Sequence, residues 1–303
     1  MLFSFTALFS IVFLPHISPH HKLNASVKVD FAQPQNSAIS MSGILHGSSS
    51  IQPPESTIKP LKPRLWRVGK TDIYKRVTEL GTQFQLVVSD TWSYSANSGH
   101  WPYENYNLWE AHLRKLAQEN RTKQIIWDIW NEPNHSEFWK GTREQFFETY
   151  KRAYKTLRSE LGSEAIIGGP SLTKYDKEYI KAFLEYCKAN KLEVNFLSWH
   201  ELNDKAITPV EDHLIDAQTS LIENPAYKSL NIKKLYINEV IGPSAQYKPG
   251  EILGYFYYLE KGKADGACKS CWPSLKKGEV DNCSNKTLDG LLTPDTFKPR
   301  AAW

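Results

Sequence analysis

The chain has 303 residues, with 37 basic against 33 acidic side chains and a formal net charge of +4. That balance, without a basic run, gives nucleic acid no footing, and 41% hydrophobic with 23% charged content excludes a disordered chain. Ten Trp and fifteen Tyr are many; such rings fill a bulky core, and they also stack on flat apolar faces of a ligand.

Met1 to about Leu14 is apolar, and Pro15 follows. The run is too short to span a bilayer as an ordinary helix. It fits the apolar region of a signal peptide, although no Lys or Arg precedes it, with a lipid-associated anchor as the alternative. Residues 1–20 are therefore expected as a leader, 21–38 as a flexible arm and 39–303 as one folded domain, secreted and without stable membrane insertion. Asn-x-Ser/Thr triplets begin at Asn24, Asn120, Asn134, Asn282 and Asn285. The cysteines are Cys187, Cys268, Cys271 and Cys283. Their even number suits an oxidising compartment, with a local bridge Cys268–Cys283 or Cys271–Cys283. Cys187 is too far along the chain to complete a zinc site with the other three, so no metal is expected.

From Ser42 onward, strand-like and helix-like segments alternate. Ser42 to His46 reads as the first strand and Leu65 to Val68 as the second. Thr71 to Leu80 is a helix that stops at Gly81, and Phe84 to Val88 is the third strand. Leu108, His112, Leu113 and Leu116 mark a helix, and Ile125-Ile126 opens the fourth strand. Thr142 to Gln145 has the form of a capping box, and its helix runs to Gly162. The fifth strand is Ala165 to Gly168, the sixth Val194 to Ser198, the seventh Leu235 to Glu239 and the eighth Gly266 to Cys271. Helices are expected around Tyr179 to Cys187, Leu214 to Ile222 and Ile252 to Leu259.

Eight such repeats suit a closed (β/α)8 TIM barrel of the α/β class. The rival, an open doubly wound sheet, wants a Gly-x-Gly-x-x-Gly loop after the first strand, which is absent. Trp303 falls in the first turn of the expected last helix. The barrel is therefore expected to be truncated there, with an apolar flank uncovered.

In a barrel all strand ends face one site. They carry His46, Arg67, Trp92, Asn131 with Glu132, Ser171, Trp199 with His200, Glu239 and Trp272. Pro133 pushes Glu132 toward extended backbone, and Trp127 and Trp130 beside it are expected to raise its pKa into the range of a proton donor. Glu239 then supplies a second carboxylate across the mouth. Alone, it reads as a capping or ion-paired glutamate at a strand exit. As a pair, the two match what glycosidic-bond cleavage needs: an acid for the leaving oxygen and a nucleophile for the anomeric carbon. A separation of about 5–5.5 Å implies retention of configuration.

The segment Trp127-Asp128-Ile129-Trp130-Asn131-Glu132-Pro133-Asn134, followed by Glu137-Phe138-Trp139, resembles the acid/base segment of glycoside hydrolase family 39 in the 4/7 superfamily, clan A, which includes β-xylosidases and α-iduronidases. Tyr236 to Glu239 resembles its nucleophile strand. Arg67, Trp199-His200 and the tail from Leu288 to Trp303 are also similar. The resemblance covers about residues 42–303, without the β-sandwich that usually follows the barrel in family β-xylosidases. It implies Glu132 as general acid and then base, and Glu239 as nucleophile. Asn131 would bind the sugar 2-hydroxyl. Arg67 would keep Glu239 ionised, a barrel-floor ion pair being the alternative. His46 and His200 would bind sugar hydroxyls, Trp199 would line the site, and Trp272 and Trp92 would be stacking platforms, with Trp101 a further candidate. The implied activity is a retaining glycoside hydrolase acting on a β-linked oligo- or polysaccharide without a cofactor. The alternative is a catalytically dead sugar-binding protein on an incomplete barrel.

Overall fold

The computed structural model describes residues 40–89, 98–203, 205–272, 282–283 and 285–303. The expected leader and arm, the Asn24 triplet and Trp92 lie outside the described residues. Eight parallel strands close a barrel in chain order: β1 (Gly43–Ile44), β2 (Leu65–Val68), β3 (Gln83–Val88), β4 (Ile126–Ile129), β5 (Ile166–Leu172), β6 (Phe196–Glu201), β7 (Lys234–Val240) and β8 (Gly266–Lys269). Around them lie α1 (Glu55–Ile58), α2 (Tyr74–Glu79), α3 (Tyr106–Glu119), α4 (Arg143–Leu161), α5 (Lys177–Ala189), α6 (Pro209–Ala217) and α7 (Pro249–Lys261). The fold is the expected (β/α)8 barrel. No helix among the described residues is long and apolar enough to cross a membrane.

The sequence signals act as read. The Gln145 main-chain N–H donates to Thr142 Oγ1 at 3.2 Å, and Gln145 Oε1 accepts from the Thr142 N–H at 2.7 Å, so α4 starts with a closed capping box. It ends where Gly162 takes φ 81°, a conformation a side chain resists. Alternation along each strand separates two cores. Trp127 and Ile129 join the large layer between sheet and helices. Ile126 turns inward, where it meets Leu45, Leu65, Phe196, Tyr236 and Cys268 in a small apolar plug. The next inward positions toward the strand C-terminal ends are polar: Arg67, Asp128, Ser198 and then His200.

Two bulges break this alternation where the mouth begins. Trp199 pairs with Ile237 but His200 with Glu239, and on the other side Ile237 pairs with Ala267 but Val240 with Lys269. The extra residue lies in β7, and it lets consecutive Asn238 and Glu239 both reach the lumen side. In β5, Pro170 pairs with Ser198 and Leu172 with Trp199, so Ser171 is the extra residue, at φ 50°.

The barrel closes least regularly between β8 and β1, which meet at one register pair, Ile44 opposite Lys269. A Cβ on Gly43 would lie 1.8 Å from the Ala267 carbonyl oxygen, so only glycine allows this approach. The expected start of a last helix at Trp303 is not what forms. Residues 288–303 make turns and a short antiparallel bridge between Leu292 and Pro299. Trp303 instead donates its indole N–H to the Thr57 carbonyl at 2.8 Å, fastening the segment to α1. Turn formation is what Pro294 and Pro299 favour, since the residue before each is kept out of the helical region. Leu253 and Tyr257 on α7 are exposed, as are Ile51, Leu108, Ile166, Ile215 and Tyr247 elsewhere.

Candidate active site

Trp130 and Glu132 take φ 77° and 48°, so the chain leaves β4 through two left-handed residues. The expectation that Pro133 holds Glu132 extended is therefore corrected. Two non-glycine residues in that region cost roughly 1–3 kcal/mol each, and tertiary contacts hold them there. The Glu132 N–H donates to the Ser171 carbonyl at 2.9 Å. Trp130 is fully buried, donates its indole N–H to the Phe138 carbonyl at 2.9 Å, and packs edge-on against Trp109 and Trp139. These rings brace the loop; Trp127, with its side chain in the outer core, packs the barrel.

Arg67 is the centre of the site. Wholly buried on β2, it donates through Nε to Asp128 Oδ2 at 2.8 Å, through Nη1 to Glu239 Oε1 at 3.2 Å and through Nη2 to Asn131 Oδ1 at 3.0 Å. It is thus both the barrel-floor ion pair and the partner of Glu239. Because its carbonyl oxygen is held by Arg67, Asn131 has its amide N–H2 left to donate. Asp128 also accepts from Ser171 Oγ at 2.8 Å and from Asn238 Nδ2 at 3.0 Å, and Ser171 Oγ lies 3.0 Å from Ser198 Oγ. This layer beneath the carboxylates fixes the fork of the guanidinium. The sequence reading passed over Asp128, Ser198 and Asn238. A charged residue inside the otherwise apolar run Ile125 to Ile129 was the available signal for Asp128.

His200, wholly buried at the end of β6, links the two carboxylates. Its Nδ1 lies 2.8 Å from Glu132 Oε1 and its Nε2 3.9 Å from Glu239 Oε1. Burial pushes Glu132 up, but the His200 hydrogen bond and the charges of His200, His135 and Arg67 outweigh it, and its carboxyl is held below its usual value. Burial raises Glu239 by more than His200 and Arg67 lower it, and the Glu132 charge adds to the rise. Both directions are opposite to the sequence expectation.

The other candidates separate. His46 follows β1 at its C-terminal exit. Burial, and then the Arg67 charge, push its imidazole down to about 3, so it is neutral. Trp199 is wholly buried, donates its indole N–H to Glu201 Oε1 at 2.7 Å, and packs on Tyr175. Strand alternation turns it to the helix side, which removes it from the mouth that His200 faces. Trp272 is half-buried at the end of β8, with its indole N–H on the Ile241 carbonyl at 2.9 Å. Trp101 packs against Trp130 and Trp139. Of the two bridges considered, Cys271–Cys283 forms; Cys268 and Cys187 are free and buried. The amides of Asn120, Asn134 and Asn282 all donate within the fold, so a glycan at any of them would break those bonds. A cleft of about 640 Å³ opens at the other end of the barrel, between Thr82, Phe84, Lys123 and Ile166. It holds no facing carboxylates and lies at the strand N-terminal ends, away from this chemistry.

Residues 103–236 match the family described as glycosyl hydrolases family 39. The match includes Asn131, Glu132 and His200 and stops just short of Glu239. A β-xylosidase from Caldicellulosiruptor saccharolyticus is 31% identical over 108 residues, 33% of this chain and 22% of that protein. A β-xylosidase from Geobacillus stearothermophilus is 26% identical over 113 residues, 35% of this chain and again 22% of that protein. The matched part of the chain thus spans 22% of the length of either relative. A solved structure of a protein from Neocallimastix frontalis superposes with a TM-score of 0.66 at 21% identity, covering 84% of this chain and 63% of that one. At that identity it shows the fold.

Proposed function

From the premise that the chain is a family-39 glycoside hydrolase, we propose that it cleaves a β-linked glycan with retention of configuration. The observation that carries this reading is the pair Glu132 and Glu239 against one buried imidazole, over a guanidinium that also holds Asn131. Retention is what the resemblance to the family implies, and it goes with about 5–5.5 Å between the two carboxyls.

The roles follow from what each carboxylate touches. Glu239 carries Arg67, a permanent cation that stabilises its anion when it attacks the anomeric carbon. Glu132 is held at Oε1 by His200 Nδ1 at 2.8 Å instead of by a guanidinium. Glu132, in its protonated form, gives its proton to the leaving oxygen. Glu239 bonds to the anomeric carbon as the aglycone departs. Glu132 next takes a proton from water, and that water displaces Glu239. Asn131, its amide aimed by Arg67, donates to the sugar 2-hydroxyl, and Trp272 offers a stacking face. The β-xylosidase relatives favour a xyloside as the first substrate to try. Secretion is proposed with it, supported by the Cys271–Cys283 bridge, which persists in an oxidising compartment.

The test is leaving-group dependence. Glu132→Gln should lose on the order of 10²–10⁴-fold on unactivated xylosides and far less on nitrophenyl xylosides, which need no protonation. Equal losses on both would remove the acid role from Glu132. Binding without any turnover by the wild type would favour the sugar-binding alternative.

A further inference from the structure

We propose that Asp289 is a positioning residue for this reaction, holding the exit of β1, and His46 with it, at the C-terminal end of the barrel. The proposal rests on the glycosidase reading above. Asp289 is wholly buried, and both its oxygens are used: Oδ2 accepts the Leu45 N–H at 2.7 Å and Oδ1 the His46 N–H at 3.1 Å. In a parallel barrel those donors would meet carbonyls of a neighbouring strand. Here β1 is too short, and a side-chain carboxylate takes their place.

The contact is interlocked from both sides. Leu288 donates its N–H to the Gly47 carbonyl at 2.9 Å. Gly47 takes φ 49°, and a Cβ on it would lie 2.5 Å from the Leu288 Cα. Leu288, Asp289 and Gly290 follow at φ 52°, 55° and 87°, a left-handed run that buried Leu288 and Leu292 hold in place. From β8, the buried Lys269 donates to the Asp289 carbonyl at 2.7 Å and to the Ser270 carbonyl at 3.2 Å. His46 is held a third time through its carbonyl, which accepts the Trp66 indole N–H at 3.1 Å.

The two N–H groups need an acceptor for stability alone, so the positioning role rests on where that acceptor holds the strand exit. What the carboxylate adds is direction. It fixes two successive N–H groups, and so the rotation of the strand exit that carries His46. That imidazole feels the charge of Arg67, the residue that holds Glu239 and Asn131. Asp289 therefore acts through His46 and need not touch the sugar.

The experiment compares Asp289→Asn, His46→Gln and the double variant with the wild type. It reads kcat and KM on an aryl xyloside, thermal melting, and the His46 ring resonances by NMR. Asp289→Asn keeps one acceptor and the shape. It should melt cooperatively, shift the His46 resonances, and lower kcat by about tenfold with little change in KM, as a misplaced group does. The double variant should be no slower than His46→Gln alone. Unmoved His46 resonances, or losses that multiply in the double variant, would overturn the proposal. If Asp289→Asn does not fold, Lys269→Gln takes its place, leaving both backbone donors bound but loosening the loop from β8. It should shift the same resonances with a smaller loss of kcat, and unmoved resonances would again overturn the idea. An inactive wild type would defeat the glycosidase reading, while the NMR comparison would still decide the link between Asp289 and His46.

Discussion

The two sides of the barrel mouth are built in different ways. On the side of β4 to β7, strands pair over long registers, β6 with β7 from Phe196 to Glu201. The reacting groups there hang from strand ends reshaped by bulges and left-handed residues, and Arg67, reaching over from β2, ties Asp128, Glu239 and Asn131 together. At the β8–β1 seam the backbone pairs once, and side chains finish the closure: Asp289 for two N–H groups, Lys269 for a carbonyl, and Cys271–Cys283 as a covalent tie. The lesson is a division of labour. The ladder side supplies the reacting groups, and the stitched side supplies the wall that faces them. Substitutions on the first should act on chemistry, and those on the second on position and stability.

The largest effect expected is at Glu239. Glu239→Gln should lose on the order of 10⁴-fold in kcat while still binding sugar, measured by single-turnover kinetics and by calorimetry. Loss of binding with kcat intact would blur the division. Arg67→Met comes next. It leaves Asp128 and Glu239 buried without their cation, and removing one partner of such a network costs about 3–5 kcal/mol. Denaturant melts and kcat should both fall. A stable variant with full activity would show that the guanidinium is dispensable.

How much of this was legible in the sequence follows the same line. Segments with clear periodicity and caps, such as Arg143 to Leu161 after Thr142, were readable to within a few residues because local signals and packing agree. Glu132, Glu239, Arg67 and His200 were readable as polar residues at strand ends. The bulges at Ser171 and Asn238–Glu239 were not, since an extra residue in a strand leaves no periodic mark in so short a run. Trp199 was read at the mouth because the sixth strand was expected to end at Ser198; it runs on to Glu201, and alternation turns Trp199 to the helix side. The seam was unreadable for a deeper reason: a carboxylate at Asp289 replacing strand carbonyls at Leu45 and His46 joins positions far apart in the chain. The raised pKa expected at Glu132 failed because the His200 hydrogen bond is likewise a long-range fact.

On the stitched side the effects should be smaller. Cys283→Ser opens the bridge to Cys271, twelve positions away. It should lower stability by about 2–3 kcal/mol, the loss expected for a loop of that size, with kcat changed less than by Arg67→Met. A drop in kcat as large as that at Arg67 would make the seam part of the chemistry. Smallest is a pH effect. His46 sits near 3 in the fold against 6.5 ordinarily, so the unfolded chain binds the extra proton between those values and stability falls as pH drops from about 6.5. Asp289 is raised by burial to about 6 from 3.8. The folded chain binds its extra proton in that window, so stability rises as pH drops from about 6 to about 4. Each slope is at most about 1.4 kcal/mol per pH unit, and between pH 4 and 6 they oppose. Urea melts across that range should show His46→Gln gaining stability relative to the wild type as pH falls, and Asp289→Asn losing it. Parallel curves for all three proteins would mean that neither group titrates with folding.

The central claim is that Glu239 bonds to the sugar while Glu132 handles the proton. Its most direct test is to incubate the wild type with a 2-deoxy-2-fluoro xyloside carrying an activated leaving group, then map the labelled peptide by mass spectrometry. The account predicts one glycosyl group per chain, on the peptide containing Glu239 and on that residue. A label on Glu132 would reverse the two roles. Turnover of the parent xyloside with no covalent label on either carboxylate would contradict the double-displacement mechanism itself.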